Sequence, residues 1–341
     1  MVRSRRLITG FVSVLSAVAL LAGCSSGASK SEGSESGSSG DTTPKSEDVL
    51  VLYSGDVAAS EIIAAKYREA TGVRVEVVNG SSGELFGRVK SESGNPQGDV
   101  WFSNGALMAE DPSLWELPPE SAMENIDPRW ITEIEAAPCS MMTMAIMYNK
   151  DMIPEDEVPT TYAELADPKW KGKIQVADPA ASSAAYAEII GIYNAGGWEL
   201  VEQVAQNLVI SDNQAGPRAV SDGEAVLGLF NEPSIAAFAE NPQVGIIYPK
   251  EGVIPQWSNL TIIKNAPHQE AAKAFTEWFL GPEGQQMVAD DVPGLRATII
   301  DPPDSKGLKP MSEITVIDYP EGAVEDKDAW LARWEEIITN M

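Results

Sequence analysis

Residues 159–189 read PTTYAELADPKWKGKIQVADPAASSAAYAEI and join a strand directly to a serine-headed helix. Lys171 and Gly172 break the preceding segment, residues 173–177 have the short apolar pattern of a strand, and Asp178-Pro179 turns the chain. Ser182 and Ser183 then stand ahead of an Ala-, Tyr- and Ile-rich helical pattern. A helix start carries four backbone N–H groups with no intrahelical partner, at the positive end of the helix dipole. Two readings follow. The serines are an ordinary N-cap, or serines and N–H groups together are a receptor for a phosphate, phosphonate or carboxylate.

Upstream, VLVLYSG (49–55) is an apolar strand, 57–70 has helical apolar spacing closed by Gly72, and VRVEVV (73–78) is the next strand. A helix over 82–91 and a strand over 99–103, ending in Ser103-Asn104-Gly105, continue the alternation. Strand alternating with helix implies a parallel sheet. Ligands of such sheets bind beyond the carboxyl ends of the strands. That rule nominates Tyr53-Ser54-Gly55, Ser81-Ser82-Gly83 and Ser103-Asn104 as one wall of a cleft, with plain turn chemistry as the competing reading of each. In SMMTMAIMY (140–148), period-2 alternation spreads Met141, Met142, Met144 and Met147 over both faces of a strand, which favours core packing over soft-metal ligation. Residues 267–289 read as one amphipathic helix and 327–339 as a last one.

Arg3, Arg5 and Arg6 precede an apolar run from Leu7 to Leu21, the pattern of a secretory signal. At about 15 residues the run is short of the ~20 that a spanning helix needs. It ends in Leu21-Ala22-Gly23-Cys24, which resembles a bacterial lipobox and implies cleavage before Cys24 and acylation of that residue. Residues 25–48 are Ser, Gly and Glu with almost no apolar side chain; as a flexible tether they reach roughly 25–30 Å. With Cys24 committed to lipid, Cys139 has no disulfide partner and reads as a small buried hydrophobe. The net charge of −27 becomes −30 when residues 1–23, with three arginines and no acid, are removed. This acidity excludes nucleic acid as a partner and disfavours lying flat on anionic lipid.

Enzymatic signatures are missing. The single histidine, His268, stands at a helix start, and there is no G-x-S-x-G, H-E-x-x-H, G-x-x-x-x-G-K-[ST] or C-x-x-C. With 51 acids, a paired-carboxylate hydrolase is the class left to compete with a binding protein.

Five segments in order carry a family resemblance: VLYSGDVAASEIIAAKYREATGVRVEVV, GDVWFSNGA, the 159–189 stretch, GPRAVSDGEAVLGLFNEP and APHQEAAKAFTEWFLGPEGQQMVAD. From about Val49 to the C-terminus the chain resembles the extracellular solute-binding proteins of ABC importers, within their ferric-iron and phosphonate branch. The resemblance implies the type 2 periplasmic-binding-protein fold: α/β, two lobes, each a mixed sheet flanked by helices, joined by crossing hinge strands. It divides the chain into a lipoprotein signal (1–23), lipidated Cys24 and tether (24–48), a first lobe (49–142 with 258–303) and a second (143–257 with 304–341). It implies a non-enzymatic, monomeric receptor, held outside the cytoplasm on the cell membrane by the Cys24 lipid. That receptor hands a small anionic solute to permease subunits driven by a cytoplasmic ATPase.

Iron-binding members hold Fe(III) with a histidine, a carboxylate and two adjacent tyrosines, positions that fall here on Val57, Asn104, Pro233 and Ser234. All four ligand types are missing, and Asp56, Glu232 and Tyr53 are the nearby oxygen donors. The shell that holds phosphate in those relatives matches better: Ser182, Ser183 and Ala184 at the helix start, with Asn213 and Asn231. The expected site is therefore an anion cradle without metal or cofactor, formed by Ser54, Gly55, Ser82, Ser103, Asn104, Ser182, Ser183, Ala184, Asn213, Asn231 and Trp257, with Arg218 for charge neutralisation. Glu232 and Asp56 at the cleft mouth would meet an amine or sugar hydroxyls of the solute. Tyr53, Trp101 and Trp257 are candidate lid or stacking residues, with core packing as the alternative. Ferric iron is the rival ligand.

Overall fold

A computed structural model describes residues 49–341 except 104, 132–135 and 213 and the side chain of 106. The signal, Cys24, the tether, Asn104 and Asn213 lie outside the described residues.

The chain begins with β1 (Val49–Ser54), α1 (Val57–Thr71), β2 (Arg74–Asn79), α2 (Ser82–Glu92) and β3 (Val100–Ser103). The short β4 (Trp115–Glu116), α3 (Glu120–Met123) and β5 (Ala137–Met142) follow. Next come β6 (Met144–Asn149), β7 (Ile174–Ala177), α4 (Ser183–Ala205), β8 (Leu208–Ser211), α5 (Ala215–Ser221), β9 (Leu227–Asn231), α6 (Glu232–Ala236) and β10 (Val244–Ile247). The chain closes with β11 (Gln256–Ile263), α7 (Gln269–Leu280), α8 (Pro282–Asp291) and α9 (Lys327–Thr339).

Two mixed sheets result, in a two-lobed α/β fold. The first has the order β2-β1-β3-β11-β4, with β5 also on β11; the second has β10-β6-β9-β7-β8. Strands β1, β2 and β3 are parallel, as strand–helix alternation requires, while the late β11 runs antiparallel to β3, β4 and β5. In the second sheet β7 is parallel to β8 and β9, and β6 is antiparallel to β9 and β10. Each lobe has its own core: Leu50, Leu52, Ile63, Phe102, Phe275 and Phe279 in the first, and Ile146, Ile174, Val176, Ile189, Leu229 and Trp334 in the second.

The helix expected over 267–289 is two helices. Gly281 ends α7 and caps α8, and Pro282 occupies the first position of α8. Proline lacks the N–H that a continuing helix needs but is pre-organised to begin one. The strand expected over 140–148 is likewise two strands, in different sheets, separated by Thr143 alone.

Thr143 is the first crossing between lobes. The second is the lead into β11, where Val253 pairs with Val316; the third is the segment that returns from Ile299 past Val316. A buried ion pair ties all three together. Glu232 and Arg296 are both almost inaccessible to solvent, and Arg296 Nε donates to the two Glu232 oxygens at 3.1 and 3.0 Å. Glu232 Oε2 also accepts the Thr143 N–H at 2.8 Å, Tyr248 donates its hydroxyl to Oε1 at 2.6 Å, and Arg296 Nη1 donates to Lys309 O at 2.9 Å. Burial, then the Glu232 carboxylate, pushes the Tyr248 phenol up and keeps it a donor.

Removing one partner of such a pair strands the other charge. Glu232→Ala is expected to cost about 3–5 kcal/mol in urea unfolding, and Glu232→Met with Arg296→Met together should recover most of it. A single-variant loss under about 1 kcal/mol, the scale of an exposed pair, would show that the pair does not hold the hinge.

Candidate functional site

The carboxyl ends of the parallel strands point at the hinge from both sides. In the first lobe Ser103, ending β3, pairs with Asn259, three residues after β11 leaves the crossing. In the second, Asn231, ending β9, pairs with Met144, the residue after Thr143. Both strand ends therefore lie beside the crossings.

On the first wall the three predicted turns converge. Ser82 Oγ and Ser103 Oγ are hydrogen-bonded at 2.7 Å, and a Cβ on Gly55 would stand 2.7 Å from Ser103 Oγ and 3.2 Å from Ser82 Oγ. Only a glycine lets β1 end so close to both hydroxyls. Ser54 is fully buried, and its hydroxyl is spent on the backbone of Asp56. Asp56 in turn caps α1, its Oδ1 accepting the Ala59 N–H at 3.0 Å. Asn259, which the sequence reading missed, lies against Gly105, where an added Cβ would be 2.7 Å from its Nδ2. A lone Asn in an apolar strand is the signal that could have found it.

On the second wall, residues 159–171 fold as short 3-10 turns around the buried Tyr162, Leu165 and Trp170. Strand β7 then delivers Asp178, whose carbonyl accepts the N–H groups of Ala181 and Ser182. Ser182 is the N-cap of α4: its Oγ accepts the Ala185 N–H at 3.2 Å and its carbonyl accepts that of Tyr186. The N–H groups of Ser183 and Ala184 are the ones the helix itself leaves over; the Ser183 side chain is exposed and Ala184 is buried. Asn231 caps α6 by accepting the Ser234 N–H at 2.9 Å, which leaves its Nδ2 available.

The profile of the bacterial extracellular solute-binding protein family matches residues 63–305. The chain belongs to this family. Among its relatives is the iron uptake protein A1 of Synechocystis sp., 28% identical over 278 residues, covering 73% of this chain and 76% of that protein. A Salmonella typhimurium periplasmic protein, named for binding 2-aminoethylphosphonate, is 22% identical over 315 residues, covering 85% and 86%. The fold is that of the periplasmic binding protein AfuA from Actinobacillus pleuropneumoniae, solved with fructose-6-phosphate. That likeness has a TM-score of 0.70 and 22% identity over 85% of this chain and 98% of AfuA.

Several residues expected at the solute of this family member have partners within the protein. Glu232 is not at the cleft mouth: its carboxylate is buried in the hinge ion pair, where Arg296, Tyr248 and Thr143 use it. Tyr53 is a core residue, its hydroxyl donating to Glu92 at 2.8 Å, and Trp101 is buried against Trp115. Arg218 is exposed on α5 with its guanidinium over the Phe238 ring. Trp257 is half-buried and packs on Trp130 with ring centroids 6.0 Å apart. His268 is clasped to the buried Asp99, which takes its backbone N–H and faces its Nδ1 at 2.9 Å. Cys139 is fully buried; its thiol donates to Ser258 O, and burial pushes its pKa up, away from nucleophile chemistry. Among the described residues no three His, Cys, Asp or Glu side chains gather to hold a metal ion.

The convergence on Gly55 can be measured. Gly55→Ala should part the Ser82–Ser103 hydrogen bond and cost about 1–3 kcal/mol of overpacking in thermal unfolding. In a Ser103→Ala background most of that cost should vanish. An equal cost in both backgrounds would show that the hydroxyls do not meet Gly55.

Proposed function

We propose that this chain is the membrane-tethered receptor of an ABC importer and captures a small phosphoryl- or carboxyl-bearing anion between its lobes. The contrast between two helix starts carries the reading. At the first wall α1 is closed by its own acid, Asp56; at the second α4 is closed by the neutral Ser182, with the Ser183 and Ala184 N–H groups left for a ligand. An anion is stabilised at the second and repelled at the first. The Asn231 amide adds a neutral donor, and Asn213 is a further candidate donor. Hydrogen bonds to a charged acceptor are worth roughly 1.5–3 kcal/mol each, enough for a few of them to hold a dianion without a metal.

Asp56 on the opposite wall suits a solute that also carries an amine or hydroxyls, such as an aminophosphonate or a sugar phosphate. Iron is the rival because a relative is named for its uptake. The positions that bear its ligands in iron-binding members here hold an exposed valine, Val57, and Pro233-Ser234 within α6. Capture and release break no bond, so the protein is read as a carrier, with lipid on Cys24 holding it at the membrane beside its permease.

A thermal-shift panel of phosphonates, phosphate esters, carboxylates, polyamines and Fe(III) tests this. A phosphonate or phosphate ester at 100 times its Kd should add about 2.7 kcal/mol of stability. Ser183→Ala, whose hydroxyl is exposed, should weaken that ligand roughly tenfold, one charge-assisted hydrogen bond, without changing unfolding of the free protein. Ser182→Ala should lose affinity and also about 1 kcal/mol of capping. Affinity within about twofold of wild type in Ser182→Ala, Ser183→Ala and Asn213→Ala would sink the cradle. An orange-red complex with Fe(III) would reassign the pocket to iron, and turnover of a phosphate ester would make the protein a hydrolase.

A further inference from the structure

Glu188, the sixth residue of α4, is 1% exposed, and neither of its carboxyl oxygens has a hydrogen-bond partner. It lies on the helix whose head forms the anion site proposed above. Its neighbours on α4, Ala184, Ala185, Ala187, Ile189 and Ile190, belong to apolar clusters with Met144, Ile146, Val176 and Leu229 of the strands. Two polar side chains interrupt that layer. The Tyr162 hydroxyl abuts Gly191, one turn on from Glu188, where an added Cβ would come within 2.5 Å of it. Glu251 Oε1 accepts the Tyr162 N–H at 2.9 Å, and Glu251 Oε2 is buried with no partner. Burial, then Glu188, then Glu251, push the Tyr162 phenol well above its ordinary value, so all three groups share one interior. The neighbouring charged residues point out: Lys250 and Glu164 are exposed, and Glu164 is bonded to Thr160 and Thr161.

A buried carboxylate with no donor and no counter-ion is costlier than any nearby dipole can offset. A proton is the smallest species that removes the cost. We propose that Glu188 stores a proton, and that this proton lets the head of α4 accept an anion. The coupling rests on the anion reading; the stored proton does not.

Glu188 lies four to six residues behind Ala184 and Ser182, which is about 6–9 Å along the helix axis. Across a low-dielectric interior an ionised Glu188 opposes an anion at the head, whereas the neutral acid does not. By reciprocity a bound anion tightens the hold of Glu188 on its proton. Burial raises Glu188 from 4.5 to about 8. The sign follows: the native state holds the proton where the unfolded chain has lost it. The contribution of Glu188 to stability is therefore full below about 4.5 and falls away as pH rises to about 8.

Three measurements on the full chain and on Glu188→Gln test this. Infrared difference spectra of solute-free protein should show a protonated-carboxyl band at neutral pH, absent from Glu188→Gln and lost above about pH 8. Denaturant unfolding of the wild type should weaken with pH over that window more than unfolding of Glu188→Gln does. Methylphosphonate, followed by calorimetry between about pH 6.5 and about pH 9.5, should lose at least about fivefold more affinity for wild type than for Glu188→Gln, the low end of ordinary site-to-site coupling.

No carboxyl band, or a tightly bound metal ion found in its place, overturns the stored proton. A band with identical affinity profiles in the two proteins overturns the coupling. A band with no methylphosphonate binding at any pH brings down the anion reading and the coupling together, while the stored proton stands.

Discussion

The Arg296–Glu232 ion pair is the contact on which the two-lobed arrangement depends. Each lobe could close its core alone, since Leu50 to Phe279 and Ile146 to Trp334 form separate apolar clusters. What has to be specified is how the lobes meet. Arg296, bridged to Met141 in the first lobe, reaches Glu232 at the head of α6 in the second, and Thr143, Tyr248 and Lys309 are bonded into the same network. Hydrogen bonds are directional where apolar contact is not. A satisfied polar network at the crossings fixes their register. The same network removes Glu232 from solute chemistry, because its oxygens are already occupied.

The two walls divide the work by charge. In a chain of net charge −27 an anion site has to be built locally, and on the proposed reading it would be built from neutral groups: a serine cap, leftover N–H groups and an asparagine amide. On this reading a zwitterion has only one orientation, phosphoryl end on α4 and amine toward Asp56. Closure about the hinge would then bring both ends into contact together. A metal would instead need carboxylate and phenolate donors, and the positions in question present Val57, Pro233 and Ser234.

What could be read in the sequence was what depends on neighbours along the chain. The strand, turn and capped helix of residues 159–189 fold as their local signals dictate, as do α1, α2 and α9, because caps, Gly stops and apolar spacing act within a few residues. The Gly281-Pro282 break is equally local, although apolar spacing continues on either side of it. The partner of Glu232 was different in kind. Arg296 is 64 residues away, and nothing near Glu232 in the sequence marks it as a hinge residue and not a cleft acid. Asn259 was hidden for the same reason, since its place beside Gly105 comes from the antiparallel return of β11.

Glu232 and Glu188 show how completely tertiary neighbours decide the role of one residue type. Both head or follow a helix start in the second lobe and both are sealed from solvent. Burial alone therefore cannot separate them. Glu232 faces a guanidinium, a phenol and a backbone N–H, so its lone pairs are satisfied and it can serve as a fixed structural charge. Glu188 is sealed in with neither carboxyl oxygen partnered, so nothing stabilises its charge and burial pushes its pKa up. One acid holds the lobes in register. The other lies behind the head of α4, where, on the anion reading, an ionised side chain would act against the helix dipole that the solute needs.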